Sequence, residues 1–268
     1  MARIIPSDFD ANKEALDSNE LLIRDTLNVK IDNWAKFRFS IHTGNSSDVL
    51  LSSNPIDGDV KQAFIELAKS HYEVVNSIGS AKFNLSELQT LDKTKLDYLF
   101  RANKGLKEFY IHLGSVFDNL ARLIYILNIA DSSSKKKGSK LIRHWIDWPQ
   151  LSKDYSFSNY NSIINNPILK EILSLRNNYI HNWRAVIFVD FQTKDLFLSN
   201  QIRVDRNYLW NYEESTEFNN KYKNDLKPFI QFMSDDFTFV EDCQNMIFEQ
   251  LIADLSIFET NYGLKIKE

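Results

Sequence analysis

Apolar residues recur every three to four positions over long stretches of this chain, the spacing of helices that bury one face. From Asp59 to about Ile78, the positions Val60, Phe64, Leu67, His71, Val74, Val75 and Ile78 form one stripe. A longer run from about Lys93 to Ile129 carries Leu96, Leu99, Phe100, Leu106, Phe109, Leu113, Phe117, Leu120, Ile124 and Leu127. Gly105 and Gly114 fall within it, where a helix bends or admits a close neighbour. Pro167 opens a third helix, over Leu169, Ile172, Leu173 and Ile180, that ends near Asn182. A fourth runs from about Asp235 to Thr260 on Phe239, Cys243, Met246, Ile247, Leu251, Leu255 and Phe258.

Between these stretches the pattern changes period. Ile23, Leu27, Ile31 and Trp34 have helical spacing behind a helix start at Ser18-Asn19-Glu20. Phe37, Phe39 and Ile41 then alternate with polar residues, and Val49 to Leu51 follow the turn Thr43 to Ser47, which predicts a short hairpin. Asp131 to Lys140 (DSSSKKKGSK) reads as an exposed loop between two helices. Leu141 to Trp148 reads as an aromatic helical turn stopped by Pro149. Val186 to Phe191 and Leu196 to Leu198, separated by Gln192-Thr193-Lys194-Asp195, predict a β-hairpin. The segment from Arg206 to Asn224 is expected to be irregular. The resulting division is 1–56, an N-terminal helix and short hairpin extension; 57–183, a helical bundle; and 184–268, a β-hairpin plus a C-terminal helix packing on the bundle. The fold class expected is mainly α, an antiparallel helical bundle with a β-hairpin insertion and a C-terminal helix.

Composition supports helices. Only seven Gly and five Pro occur in 268 residues, too few for the tight turns of an all-β sandwich. One Cys, Cys243, leaves no intramolecular disulfide, fits a reducing compartment and reads as buried filler. No apolar run is long enough for a signal peptide or a membrane span, so a cytoplasmic protein without membrane contact is expected. The net charge of −4 argues against a general nucleic-acid coat protein, but not against an enzyme that meets RNA through a local patch.

The chemistry concentrates at the end of the third helix, Arg176-Asn177-Asn178-Tyr179-Ile180-His181. Asn177 and His181 are four residues apart and share a helix face, while Arg176 is rotated from His181 by about 140° on an ideal helix. A histidine in a last helical turn sits near the negative end of the helix dipole, and histidine ordinarily titrates near neutrality. An arginine beside it suits phosphate oxygens, and an asparagine can orient the imidazole or a ribose. Together they can activate a ribose 2′-OH and steady charge on a scissile phosphate without a metal. Arg and His separated by four to six residues would arise about half a time by chance; requiring Asn after Arg and four intervening residues lowers this to about 0.02. The plainer reading, a surface arginine and a histidine C-cap, remains open on spacing alone.

The only dense basic cluster is Lys135, Lys136, Lys137, Lys140 and Arg143, a candidate RNA-contacting loop with Trp145 and Trp148 as stacking surfaces, or a solvated loop beside core tryptophans. His42, His71, His112 and His144 have no metal-ligand spacing and read as structural; no metal site or cofactor is expected. No phosphate-cradling glycine loop and no nucleophile elbow occur.

Arg176, Asn177 and His181 resemble, position by position, the signature of the HEPN superfamily (higher-eukaryote and prokaryote nucleotide-binding helical bundles): Arg, a polar residue often Asn, three further residues, then His. The stretch Gly114 to Ala121 resembles the earlier long helix of that fold, which often points a polar or acidic residue at the motif; Asp118 and Asn119 are the candidates for such a supporting role, or else a buried polar pair satisfied by a neighbouring helix. The resemblance covers about residues 57 to 183, and large bacterial members of the Cthe-like branch are the nearest likeness. It implies a bundle that homodimerises so that two motifs line one cleft. It further implies a metal-independent endoribonuclease acting on RNA as a toxin or anti-phage defence effector, with an antitoxin or other defence-system protein as partner. The alternative is a catalytically inactive relative that binds nucleotide, RNA or protein.

Overall fold

The computed structural model describes residues 18–37, 58–128, 147–154, 160–181, 187–189, 196–198 and 227–262. They are mainly helical. Six helices are used below: α1 (Gly58–Gln89), α2 (Tyr98–Asn128), α3 (Trp148–Asp154), α4 (Asn161–Ile164), α5 (Pro167–His181) and α6 (Phe229–Tyr262). Three short strands, β1 (Ile187–Val189), β2 (Leu196–Leu198) and β3 (Lys227–Pro228), pair antiparallel in the order β1-β2-β3, with Phe188 opposite Phe197 and Phe197 opposite Pro228. The connection 190–195 required by the expected hairpin lies outside the described residues, as do the hairpin expected beyond Phe37 and the segment 206–224.

α1 and α2 run antiparallel: Leu88 packs at Gly105, while Glu66 pairs with Arg122 at 3.7 Å. α6 lies along α2 in the same direction, because the Tyr110 hydroxyl donates to Asp236 at 2.7 Å and the Asn128 amide reaches Asp254 at 3.5 Å. The interior between them is aromatic, with Trp34, Phe37, Phe109, Tyr110, Phe117 and Phe248 fully buried. A layer of α5, through Leu169, Ile172 and Leu173, closes on the other side of α2.

Several expected boundaries shift for identifiable reasons. α1 does not stop at Ile78; Ala81, Leu85 and Leu88 continue its buried stripe, and Gly79 is where Ile23 of the N-terminal segment presses in. α2 begins at Tyr98, after a turn in which Asp92 caps Thr94; Leu96 falls in that turn, Tyr98 and Ala102 take the buried face of the first helical turn, and Leu96, Leu99 and Phe100 are exposed rather than on a core face. Pro149 opens α3 instead of ending a helix: Asp147 accepts the Gln150 N–H at 2.8 Å, and a proline in a first turn has no needed donor to lose. α6 starts six residues early because Phe229, Phe232 and Met233 are buried, whereas Met246, expected inside, is exposed. The N-terminal helix is broken. A π-helical turn, Leu22–Thr26, leads to Asn28 at φ 52, a left-handed geometry that asparagine tolerates, and residues 32–37 form a separate helical turn.

That segment is bound to the last helix. The Lys30 N–H donates to Glu241 at 2.8 Å, and the Lys30 carbonyl accepts from Gln244 at 2.6 Å and Asn245 at 3.1 Å. Trp34 stacks on His71 with centroids 4.3 Å apart and donates its indole N–H to the His71 carbonyl at 2.8 Å. His71 is thus a buried packing residue, as its sequence context implied.

Candidate functional site

α5 begins at Asn166, whose side chain accepts the Ile168 N–H at 2.9 Å, and Pro167 supplies a pre-set φ at the first helical position. Its buried side, Leu169, Ile172 and Leu173, sets its rotation against α2. That rotation turns Arg176 onto α2 and leaves Asn177 exposed. His181 is the last residue of α5; its side chain lies outside the described ones.

Arg176 meets α2 at Gly114. A Cβ at position 114 would sit 3.0 Å from Arg176 Cγ and 3.1 Å from its Cβ, closer still to Cδ, so only glycine lets the arginine stem cross the helix there. One turn on, Asp118 receives the guanidinium. Arg176 Nη1 donates to Asp118 Oδ2 and to the Gly114 carbonyl at 3.3 Å, and Nη2 donates to Asn177 Oδ1 at 3.4 Å. The other Asp118 oxygen, Oδ1, accepts the backbone N–H of Trp148 at 3.2 Å. Arg176 and Asp118 side chains are 11% and 14% exposed, so the pair is largely withdrawn from water.

Burial pushes the Asp118 carboxyl above its ordinary value; Arg176, the Trp148 N–H and the Arg176 hydrogen bond pull it back, and Asp147 adds to the rise. Desolvation therefore outweighs the pairing, which is expected where a carboxylate enters a helix interface. Arg176 is not a loose surface charge. It is positioned from α2, with its Nη2 side toward Asn177 and the protein surface.

Asn119 does something else: it is buried and donates to the Ser115 carbonyl of its own helix at 2.9 Å. Lys135, Lys136, Lys137, Lys140, Arg143 and Trp145 lie outside the described residues. Trp148 is a core residue, edge-to-face with Phe117 at 5.1 Å, and offers no exposed stacking surface. Cys243 is buried and its thiol is pushed up to about 12 by burial and Asp242, so it is chemically quiet. His112 is lowered by burial, against Glu108.

Two participants in the site carry little mark in the sequence. Gly114 reads only as a place where the helix bends or admits a close neighbour; that the neighbour is Arg176 has no signal in the spacing. The Trp148 N–H has none, because backbone donors leave no mark in composition.

Among the described residues, no three His, Cys, Asp or Glu side chains converge in a way that would hold a metal ion, and no helix is long and apolar enough to cross a membrane. No family model, curated protein or solved structure matches the chain.

Proposed function

We propose that the chain is a metal-independent endoribonuclease of the HEPN type, working as a toxin or defence effector, with Arg176, Asn177 and His181 as its reacting groups. The observation that carries this reading is the placement of Arg176. It is held by α2, lies beside Asn177, and sits little more than one turn before His181. In the proposed reaction His181 accepts the proton of a ribose 2′-OH. The 2′ oxygen forms a bond to phosphorus, the P–O5′ bond breaks, and the departing 5′ oxygen takes up a proton. The products are a 2′,3′-cyclic phosphate and a 5′-hydroxyl. Arg176 holds the phosphate oxygens and Asn177 orients the ribose or imidazole. A second copy of the chain would bring a second motif to the cleft, and the lysine-rich segment around Lys135 to Arg143 would contact the RNA backbone.

The test is incubation of purified protein with total RNA and with tRNA, with and without EDTA. Defined cuts that persist in EDTA and vanish in His181→Ala, with the melting temperature retained, are the expected result. Cleavage by that variant at the wild-type rate would overturn the assignment.

One observation favours the alternative, a catalytically inactive domain that binds nucleotide, RNA or protein: the charge of Arg176 is already balanced by Asp118. Binding to RNA without any cut in the same assay identifies that case.

A further inference from the structure

One stripe of α2 runs through Phe100, Lys104, Lys107, Ile111, Gly114 and Asp118, at i, i+4, i+7, i+11, i+14 and i+18, the spacing of a single helix face. Its cover changes along its length. At one end Gly114 and Asp118 are taken up by Arg176 of α5. Ile111 and Lys107 are half-buried, Lys104 is exposed, and Phe100 at the other end is 72% exposed. α5 comes from the covered end. Tyr160, ahead of α5, and Asn128, the last residue of α2, both reach Asp254, so α5 starts near the carboxyl-terminal end of α2 and runs back to Gly114. Its last turn, with Asn177 and His181, therefore lies toward the open half of the stripe.

The open half has a particular chemistry. Leu96 and Leu99 are exposed beside the Phe100 ring. Residues 92–108 hold five Lys or Arg (Lys93, Lys95, Arg101, Lys104 and Lys107) against three Asp or Glu, so this end is positive in a chain whose net charge is −4. Arg101 pairs with Asp97 at 2.7 Å and Lys104 with Glu108 at 3.8 Å, but exposed pairs of this kind contribute little and exchange readily for a phosphate. An exposed ring followed by lysines at i+4 and i+7 suits a base stacked on the ring and phosphates on the lysines. A bilayer would require apolar residues over several turns of the stripe, and lysines stand there instead.

We infer that the stripe from Phe100 to Ile111 is a track for single-stranded RNA, leading into the Arg176–His181 end of α5, with Phe100 as its stacking platform. Phe100 lies fourteen residues before Gly114, about 21 Å along the helix, or about six nucleotides at the 3.4 Å spacing of a stacked strand. The inference rests on reading the Arg176–His181 segment as the place where RNA is cut. It adds where the strand outside the reacting nucleotides lies, on residues separate from the lysine-rich segment 135–143.

The test is binding of labelled 2′-O-methyl RNAs, which cannot be cut, to the full chain. A trinucleotide and a decanucleotide are compared. The decanucleotide should bind more tightly than the trinucleotide. Phe100→Ala should weaken the decanucleotide about tenfold, leave the trinucleotide unchanged and keep the melting temperature, because the ring is exposed. Phe100→Tyr retains the ring and should bind as the wild type does. Lys104→Gln should make the slope of log affinity against log salt shallower by about 0.7 for the decanucleotide. Equal binding of the two lengths, no binding of either, or a Phe100→Ala that binds the decanucleotide like the wild type overturns the inference. So does Phe100→Tyr binding as poorly as Phe100→Ala. If Phe100→Ala leaves RNA binding unchanged but abolishes pelleting with anionic phosphatidylserine vesicles, or converts a dimer to a monomer, the stripe serves that other occupant and the track is wrong. Cutting of unmodified RNA with binding indifferent to Phe100 removes this inference and leaves the ribonuclease reading standing. Phe100-dependent binding of the decanucleotide without any cutting does the reverse.

Discussion

Asp118 uses its two oxygens for different parts of the chain: Oδ2 takes Arg176 from α5, and Oδ1 takes the N–H of Trp148 at the start of α3. Removing it leaves a largely buried guanidinium without its counter-charge. Asp118→Ala should destabilise the fold by about 3 kcal/mol, read by urea denaturation. The conservative Asp118→Asn keeps the shape and isolates the titration. The folded carboxyl lies above 3.8, its ordinary value. The native state therefore holds the proton more tightly than the unfolded chain, and the stability linked to that proton is complete below 3.8 and lost as pH rises through the folded value. The stability advantage of the wild type over Asp118→Asn should accordingly shrink with rising pH across that window. An advantage that grows there would contradict the assignment. At this scale the sequence was most informative about neighbours within one helix: Arg176 and Asn177 meet, through Nη2 and Oδ1. Where the partner lay far along the chain, spacing alone left two readings of Asp118 open, support for the motif or a polar group satisfied by a neighbouring helix, and did not name Arg176, 58 positions away, as that partner.

The four long helices α1, α2, α5 and α6 were visible as stripes, while α4 was not anticipated, and the ends of the long helices were decided by contacts the stripe does not contain. α1 runs through Gly79 because that glycine is a landing place for Ile23, not a stop signal. Leu99 and Phe100 obey helical spacing yet face outward, because the buried face of the first turn of α2 is made by Tyr98 and Ala102, and Leu96 falls in the turn before it. Pro149 begins an element because Asp147 is there to cap it. Elements are also latched to one another by single buried polar contacts. Tyr160, at the entry to α4 and α5, donates to Asp254 of α6 at 2.7 Å; burial and Asp254 both push its hydroxyl far above its ordinary range, so it remains a donor. Asp254 also accepts from Gln250 at 2.8 Å, which leaves it partly satisfied when the hydroxyl is removed. Tyr160→Phe should cost about 1–2 kcal/mol. Its clearest signature is faster amide exchange around residues 160–166, with α1 and α2 unaffected. Uniformly faster exchange over all helices would show that this contact supports the whole fold instead of one entry.

For the molecule as a whole, the long helices and the aromatic interior follow from composition and period, whereas the manner in which the first and last described segments meet does not. Helical periodicity says which face of α6 is apolar; it does not say that the Lys30 backbone will be capped by Glu241, Gln244 and Asn245. The proposed activity adds a requirement at this scale. A working cleft built from two motifs needs two copies, so sedimentation at micromolar concentration should give twice the chain mass of 31.4 kDa. A monomer that cuts RNA would show that one Arg176–His181 pair suffices.

The clasp at Lys30 also sets a schedule. Residue 30 leaves the ribosome long before Glu241, Gln244 and Asn245 have been joined to the chain, and translation adds only about 5–20 residues per second. During that interval the stretch carrying Ile23, Ile31 and Trp34 has no α6 to lie against. The helical hairpin of α1 and α2 can assemble early, but the amino-terminal segment reaches its final place only when synthesis has passed residue 245.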